Sequence, residues 1–203
     1  MLTIIHLENS RSDRLIWLLE ELGHDYEIQT FERDPETQRA PAEMKALHPF
    51  AKAPMLRDGD RVLIESGAIF EYIMARYGDG GLVPKTDDPE WPDYIQWLHF
   101  AEASGMFPLL LDMFLDMAGE GAAGLKQHVG TELALYLSYM DAELAEREWF
   151  AGDTFTAADV LMGFVVEFAA TRADLALYAN LAGYLERIHA RPAYRRAIEK
   201  GRR

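Results

Sequence analysis

The chain has no cysteine in 203 residues. That excludes a disulfide, a thiolate metal site and a thiol nucleophile of its own. Any sulfur chemistry must use sulfur carried in by a ligand. Positive charge is also scarce: 20 Lys and Arg stand against 34 Asp and Glu, a formal net charge of −14. Nucleic acid is therefore not an expected partner, since a phosphate backbone needs clustered cations. No apolar run reads as long enough to span a bilayer. Met1 leads into a short apolar run and then polar residues, not into a charged leader with an apolar core. A cytoplasmic protein with no membrane partner is the expectation. The six histidines, at 6, 24, 48, 99, 128 and 189, show no metal-ligand spacing, so no metal is expected. Neither a Gly-x-Ser-x-Gly elbow nor a phosphate loop occurs.

What is present is organised in two parts. Leu2–Leu7 reads as a short buried strand, followed by the polar loop Glu8-Asn9-Ser10-Arg11. Leu15, Ile16, Leu18, Leu19 and Leu22 then recur at helical spacing, with Ser12 before them as N-cap and Gly23 closing the helix. Tyr26, Ile28 and Thr30 alternate as a second strand, and Met44 to Leu47 suggests a short helix. The stretch Phe50-Ala51-Lys52-Ala53-Pro54-Met55-Leu56 then runs through a proline into a strand. Asp58-Gly59 gives a turn, Val62-Leu63-Ile64 a second strand, and Glu65-Ser66 opens a helix through Tyr77. Strand-helix-strand followed by strand-strand-helix is a βαβ unit joined to a ββα unit, the thioredoxin-like arrangement.

The Glu65-Ser66 helix start is a carboxylate site in waiting. Its free amides carry partial positive charge, and Ser66 is placed both to cap them and to meet a ligand. Arg11, Arg14, Arg33, Arg39, Lys45, Lys52, Arg57 and Arg61 lie in the same part of the chain, so a local positive site fits within an acidic body. A second basic group, Arg191, Arg195, Arg196, Lys200, Arg202 and Arg203, reads as a solvated helix end that complements its dipole.

Residues 79–89 hold two prolines, two glycines and three aspartates and read as a linker. Beyond it the pattern is helical. Trp91 to Met117 reads as one long helix bent near Gly105 and Pro108, and Gly119 to Gly124 as a break. Helices follow over Leu125 to Phe150, Thr156 to about Ala170, Leu175 to His189, and after Pro192. The expectation is an α+β thioredoxin-like domain at 1–78, a linker at 79–89, and an all-helical bundle domain at 90–203.

Taken together, the Asn9-Ser10-Arg11-Ser12 loop, the Arg14–Gly23 helix, Ala53-Pro54, Glu65-Ser66, the linker and Phe155-Thr156-Ala157-Ala158-Asp159 resemble the cytosolic glutathione transferases, especially bacterial and fungal members. The resemblance implies a cis Pro54, with Ala53 offering its backbone to the cysteinyl part of glutathione. It implies that Glu65 takes the γ-glutamyl ammonium and that Ser66, with the helix amides, takes the α-carboxylate. Lys52, with His48 or Arg39, would face the glycyl carboxylate. Glutathione is then the co-substrate, a hydrophobic electrophile the second substrate, and a homodimer the expected assembly. Met106, Phe107, Met113, Phe114 and Met117 would contribute to the electrophile pocket, with ordinary core packing as the alternative. Glu102 would reach the partner's γ-glutamyl amine.

The reaction so implied needs a thiolate. A free thiol has a pKa of roughly 8.5, and lowering it by about two units takes about 2.7 kcal/mol of differential stabilisation. In serine-type members the donor hydroxyl lies four residues before an arginine early in the first helix, which here picks out Ser10 from Arg14. Ser10 also reads as a loop hydroxyl satisfied by backbone. Asn9, by its amide, and Arg11, by its charge, are the other candidates. No tyrosine precedes Tyr26, and no cysteine exists to support a thiol-exchange variant through the protein's own sulfur. Peroxide reduction, disulfide reduction with two glutathione molecules, and a non-catalytic interaction role on the same fold are alternative uses. Thr156 and Asp159 read as a capping box, structural and not catalytic.

Overall fold

The structure is a computed structural model and describes residues 1–202; Arg203, placed above on the basic tail, lies outside the described residues. The chain divides into two compact units. One is Met1–Gly80 together with the residues from Ala190 onward, and the other is Gly81–His189.

The first unit contains β1 (Leu2–Leu7), α1 (Asp13–Leu22), β2 (Tyr26–Phe31), α2 (Met44–Leu47), β3 (Met55–Asp58), β4 (Arg61–Ile64) and α3 (Ser66–Tyr77). The sheet order is β2-β1-β3-β4. β1 runs parallel to β2, with Leu2 opposite Tyr26, and antiparallel to β3, with Ile5 opposite Met55. This is the expected thioredoxin-like order. All six residues of β1 are buried, as the apolar run at its position implies. α1 ends on Gly23 in the left-handed conformation, φ 61°, which a glycine adopts without strain. The hairpin loop is one residue later than Asp58-Gly59 suggests: Asp58 is still paired with Arg61, and its carboxylate accepts hydrogen bonds from the Tyr72 and Tyr77 hydroxyls.

The helical domain expected to run to residue 203 ends earlier. α9 (Pro192–Gly201) belongs to the first unit because it packs on α1. Tyr194 meets Trp17 edge-on with centroids 5.1 Å apart. Arg191 makes a two-pronged pair with Glu21, at 2.7 and 2.8 Å. Arg196 and Lys200 both reach the buried Glu20, at 2.6 and 2.5 Å, and Tyr26 donates to the same carboxylate. Burial alone would push Glu20 up. The bonds from Lys200, Tyr26 and Arg196 outweigh it and hold the carboxyl down at about 2. Three of the tail's cations thus form a clasp on α1, where the sequence suggested a solvated helix end.

The second unit contains α4 (Trp91–Phe100), α5 (Met106–Ala118), α6 (Ala123–Glu143), α7 (Ala157–Ala170) and α8 (Ala179–Ala190). The expected bend is a π-turn at Ala101–Gly105, directly before Pro108, whose ring removes one helical donor. Gly105 packs closely there: a β-carbon would sit 3.1 Å from Val165 Cγ1 on α7. A 3₁₀ turn at Gly119–Ala122 makes the expected break. α6 stops at Glu143, short of Phe150. Thr156 and Asp159 form the expected capping box at the start of α7. Asp159 also accepts from the Phe150 N–H at 2.9 Å, and burial raises its pKa to about 6 against these hydrogen bonds. By length and composition alone, Trp91–Glu143 is apolar enough to cross a bilayer, which the sequence reading had not noted. Of its most apolar window, 44% is buried within the protein.

Candidate functional site

The strongest local candidate lies in the first unit, where three loops meet. A cleft of about 200 Å³ is lined by Arg11, Phe50, Lys52, Ala53, Pro54, Ile64, Glu65 and Ser66. The floor is set by packing. Met44 of α2 is fully buried with Ile5, Leu7 and Met55, and Ala51, Ala53 and Ile64 pack against that cluster. The loop into β3 is thereby held on the sheet. The Ala53–Pro54 peptide is cis, as the resemblance implied. β1–β3 pairing ends at Met55, so Ala53 lies beyond the last rung of that ladder.

α3 starts at the cleft wall. Glu65 precedes it with φ 71°, a conformation uncommon for a residue with a side chain. Among the described residues four such non-glycine residues occur, Asn9, Gln38, Ala51 and Glu65; Glu65 lines the cleft and Ala51 sits between its lining residues Phe50 and Lys52. Ser66 is 2 % exposed, and its hydroxyl has no hydrogen-bond partner. It does not cap α3, contrary to the sequence expectation. A buried hydroxyl without a partner, at a helix start with free amides, is set up for an anion from outside. Arg11 and Lys52 add positive charge to the same cleft, and the exposed Glu65 supplies a carboxylate for an ammonium group.

The loop that carries the three thiolate candidates is pinned from behind. Arg33 spends its guanidinium on carbonyl oxygens: Nε on Glu8 at 3.0 Å, one terminal nitrogen on Asn9 at 3.0 Å and the other on Gln38 at 2.9 Å. It therefore fixes the loop instead of meeting a ligand. The candidates point to different places. Arg11 lines the cleft. Asn9 lines a separate cavity with Glu8, Asp13, Ile198, Gly201 and Arg202. Ser10 is buried, its hydroxyl 2.7 Å from that of Ser12 and accepting the Ser12 N–H at 3.2 Å. Without a ligand, the Ser10 hydroxyl is thus engaged with Ser12. Ser12 occupies the N-cap position of α1 but makes no capping bond, because its hydroxyl serves His6, Ser10 and Leu7.

The remaining candidates separate as well. The His48 ring accepts the Phe50 N–H at 3.2 Å and shapes its own loop. Arg39 and His48 are not among the cleft's lining residues. Glu102 lies in the second unit on the π-turn, half-buried. Of the apolar set there, Met106 is buried while Phe107, Phe114 and Met117 are exposed. Phe107 joins Pro108, Leu111, Leu125, Val129 and Tyr136 along a groove of about 230 Å³ between α5 and α6. Among the described residues, no group of three His, Asp or Glu is placed to hold a metal ion. The sequence reading missed Arg33 and His6 because both act on carbonyls or hydroxyls brought near only by the fold.

Known proteins carry the same plan. Residues 4–75 match the family model described as the glutathione S-transferase N-terminal domain, and residues 100–192 match the C-terminal domain. Glutathione S-transferase 3 of Schizosaccharomyces pombe is 37% identical, over 98% of this chain and 88% of its own length. A crystal structure of a glutathione S-transferase from Actinobacillus pleuropneumoniae superposes with a TM-score of 0.91 at 35% identity, covering 99% of this chain and 93% of that one. A Sulfitobacter homologue with bound glutathione shares the fold at a TM-score of 0.81 and 20% identity, over 99% and 98% of the two chains. With both domains present in order and a relative this similar along nearly the whole chain, the protein belongs to the glutathione transferase family.

Proposed function

We propose that this protein is a glutathione transferase that binds glutathione along the Pro54–Ser66 cleft and presents its sulfur as thiolate to a hydrophobic electrophile. The observation that carries the reading is the buried, unpartnered Ser66 hydroxyl at the start of α3, in the same cleft as two cations and the Ala53–Pro54 bend. The γ-glutamyl carboxylate suits Ser66 and the first amides of α3. Its ammonium suits Glu65, and the glycyl carboxylate suits Lys52. Ala53, unladdered, is placed to pair with the cysteinyl backbone. Arg11 then stands as the thiolate's partner by charge, because a nearby cation favours the ionised form of a thiol.

Exposed Phe107, Phe114, Met117, Leu125 and Leu135 in the helical unit suit a second copy of the chain, so a homodimer belongs to the same proposal, with Glu102 offered to the partner's ligand. Sedimentation at micromolar concentration tests the dimer. The activity is tested by calorimetric titration with glutathione followed by a panel of aromatic halides, peroxides and mixed disulfides. Saturable binding with turnover of at least one electrophile class supports the reading. Absence of binding at millimolar glutathione overturns it and leaves an interaction protein on the same fold.

A further inference from the structure

Ser10, Ser12 and His6 form a hydrogen-bond chain whose direction can be worked out atom by atom. His6 is buried, and its Nε2 lies 3.0 Å from the Gly201 carbonyl in the last turn of α9. A carbonyl only accepts, so Nε2 carries the proton. In a neutral imidazole that leaves Nδ1 as an acceptor. Nδ1 is 2.8 Å from Ser12 Oγ, so the Ser12 hydroxyl donates to it. Ser12 Oγ also accepts the Leu7 N–H at 3.2 Å, which leaves one lone pair. Ser10 Oγ, 2.7 Å away, fills it by donating. Ser10 in turn accepts the Ser12 N–H at 3.2 Å. Every proton and lone pair that the chain needs is thus assigned, and the Ser10 proton points inward.

The assignment reverses if His6 is charged. Nδ1–H would then take a lone pair of Ser12, whose own proton would turn to Ser10 or to the Leu7 carbonyl at 3.3 Å. In both cases Ser10 loses its acceptor and its hydroxyl is released. Burial, the leading influence, lowers the His6 pKa against the raising effects of the Gly201 carbonyl and Glu8. The charged groups facing the ring are Asp13 on α1, 3.8 Å from Nδ1, and Glu8 in the loop. From α9 the facing group is the Gly201 carbonyl. A β-carbon at Gly201 would lie 3.1 Å from Asp13 Oδ1, so this end of α9 sits close against the loop.

We propose, building on the glutathione reading above, that His6 and Ser12 are positioning residues that hold the Ser10 hydroxyl turned away from the cleft and thereby leave Arg11 as the group that meets the sulfur. His6 also ties the active-site loop to α9, so the end of the chain takes part in the loop's geometry.

The test has two arms. Nitrogen NMR of the histidine-labelled protein at neutral pH reads the His6 tautomer directly, without glutathione. A neutral ring protonated at Nε2 is expected. A ring protonated at Nδ1, or an imidazolium, overturns the assignment whatever the protein binds. The second arm follows the thiolate absorbance of bound glutathione in a double-mutant cycle. In the wild-type background, Ser10→Ala is expected to leave the bound thiol's pKa within a few tenths of a unit. In a Ser12→Ala background, where the Ser10 hydroxyl loses its acceptor and is released, the same change is expected to raise it by about one unit. A rise of a unit or more in the wild-type background would make Ser10 the sulfur's donor and sink the proposal. Should Ser12→Ala fail to fold, the wild-type comparison and the tautomer still decide. Failure to bind glutathione leaves the tautomer result standing and counts against the functional reading alone.

Discussion

Replacing Ser66 by alanine separates a ligand-binding hydroxyl from a structural one. The Ser66 hydroxyl is buried, lines the cleft and has no partner within the protein. Leaving a hydroxyl buried and unpaired costs about 1–3 kcal/mol. A carboxylate that accepts from it offsets that cost through a charge-assisted bond worth about 1.5–3 kcal/mol. Removing the oxygen therefore acts oppositely on the two states. Affinity for glutathione should fall by about 2 kcal/mol, roughly 30-fold in Kd. The ligand-free protein should be as stable as wild type or more so by up to about 1 kcal/mol, a rise of about 2–4 °C in Tm. Calorimetric titration reads the first quantity and thermal unfolding without ligand reads the second. At one fixed saturating concentration, the stabilisation that glutathione gives should shrink by the same amount, about 2 kcal/mol, because it varies with the logarithm of the affinity. A drop in Tm with an unchanged Kd would refute the reasoning and make Ser66 an ordinary structural residue.

Four further outcomes follow from the same structure. Glu20 has a folded-state pKa of about 2 against an ordinary 4.5, so its stabilisation is complete above pH 4.5 and is lost as pH falls toward 2. Allowing for half-exposed Arg196 and Lys200, the loss is about 2 kcal/mol, and Glu20→Gln should flatten that part of the acid unfolding curve. Asp159 has the opposite sign: its folded pKa is raised to about 6 from 3.8, so its protonation adds stability as pH falls from 6 to about 4. Asp159→Asn should nonetheless destabilise by about 2 kcal/mol in urea unfolding, because an amide cannot accept from both the Phe150 and Thr156 N–H groups. Arg33→Ala frees three carbonyls and should raise KM for glutathione severalfold while leaving Tm within a few degrees.

Periodicity made most of the fold legible. β1 alternates with nothing and is buried throughout, α1 shows its apolar spacing and stops at Gly23, and Thr156 with Asp159 announces α7. These are local signals, set by neighbours within a turn or two. The return of α9 to α1 was not legible, since Glu20 and Lys200 are 180 residues apart and a basic helix end looks the same whether solvated or clasped. The cleft's membership was visible where it rests on chain-local features, in Ala53-Pro54 and Glu65-Ser66. The choice among Asn9, Ser10 and Arg11 was not. It depends on which way each side chain leaves a tight loop, and the Ser10 hydroxyl is oriented through His6 by a carbonyl 195 residues further on. Arg33 offers a similar lesson: its guanidinium is used up on carbonyls, which leave no trace in residue identity.

The most direct test of the account is the pKa of glutathione's thiol when bound, read from thiolate absorbance in the wild type and in Arg11→Met. With Arg11 at the sulfur, the wild-type value should lie about two units below the roughly 8.5 of a free thiol, and Arg11→Met should return most of that shift. A bound thiol that titrates like the free one, or a lowered value unchanged by Arg11→Met, would contradict the account.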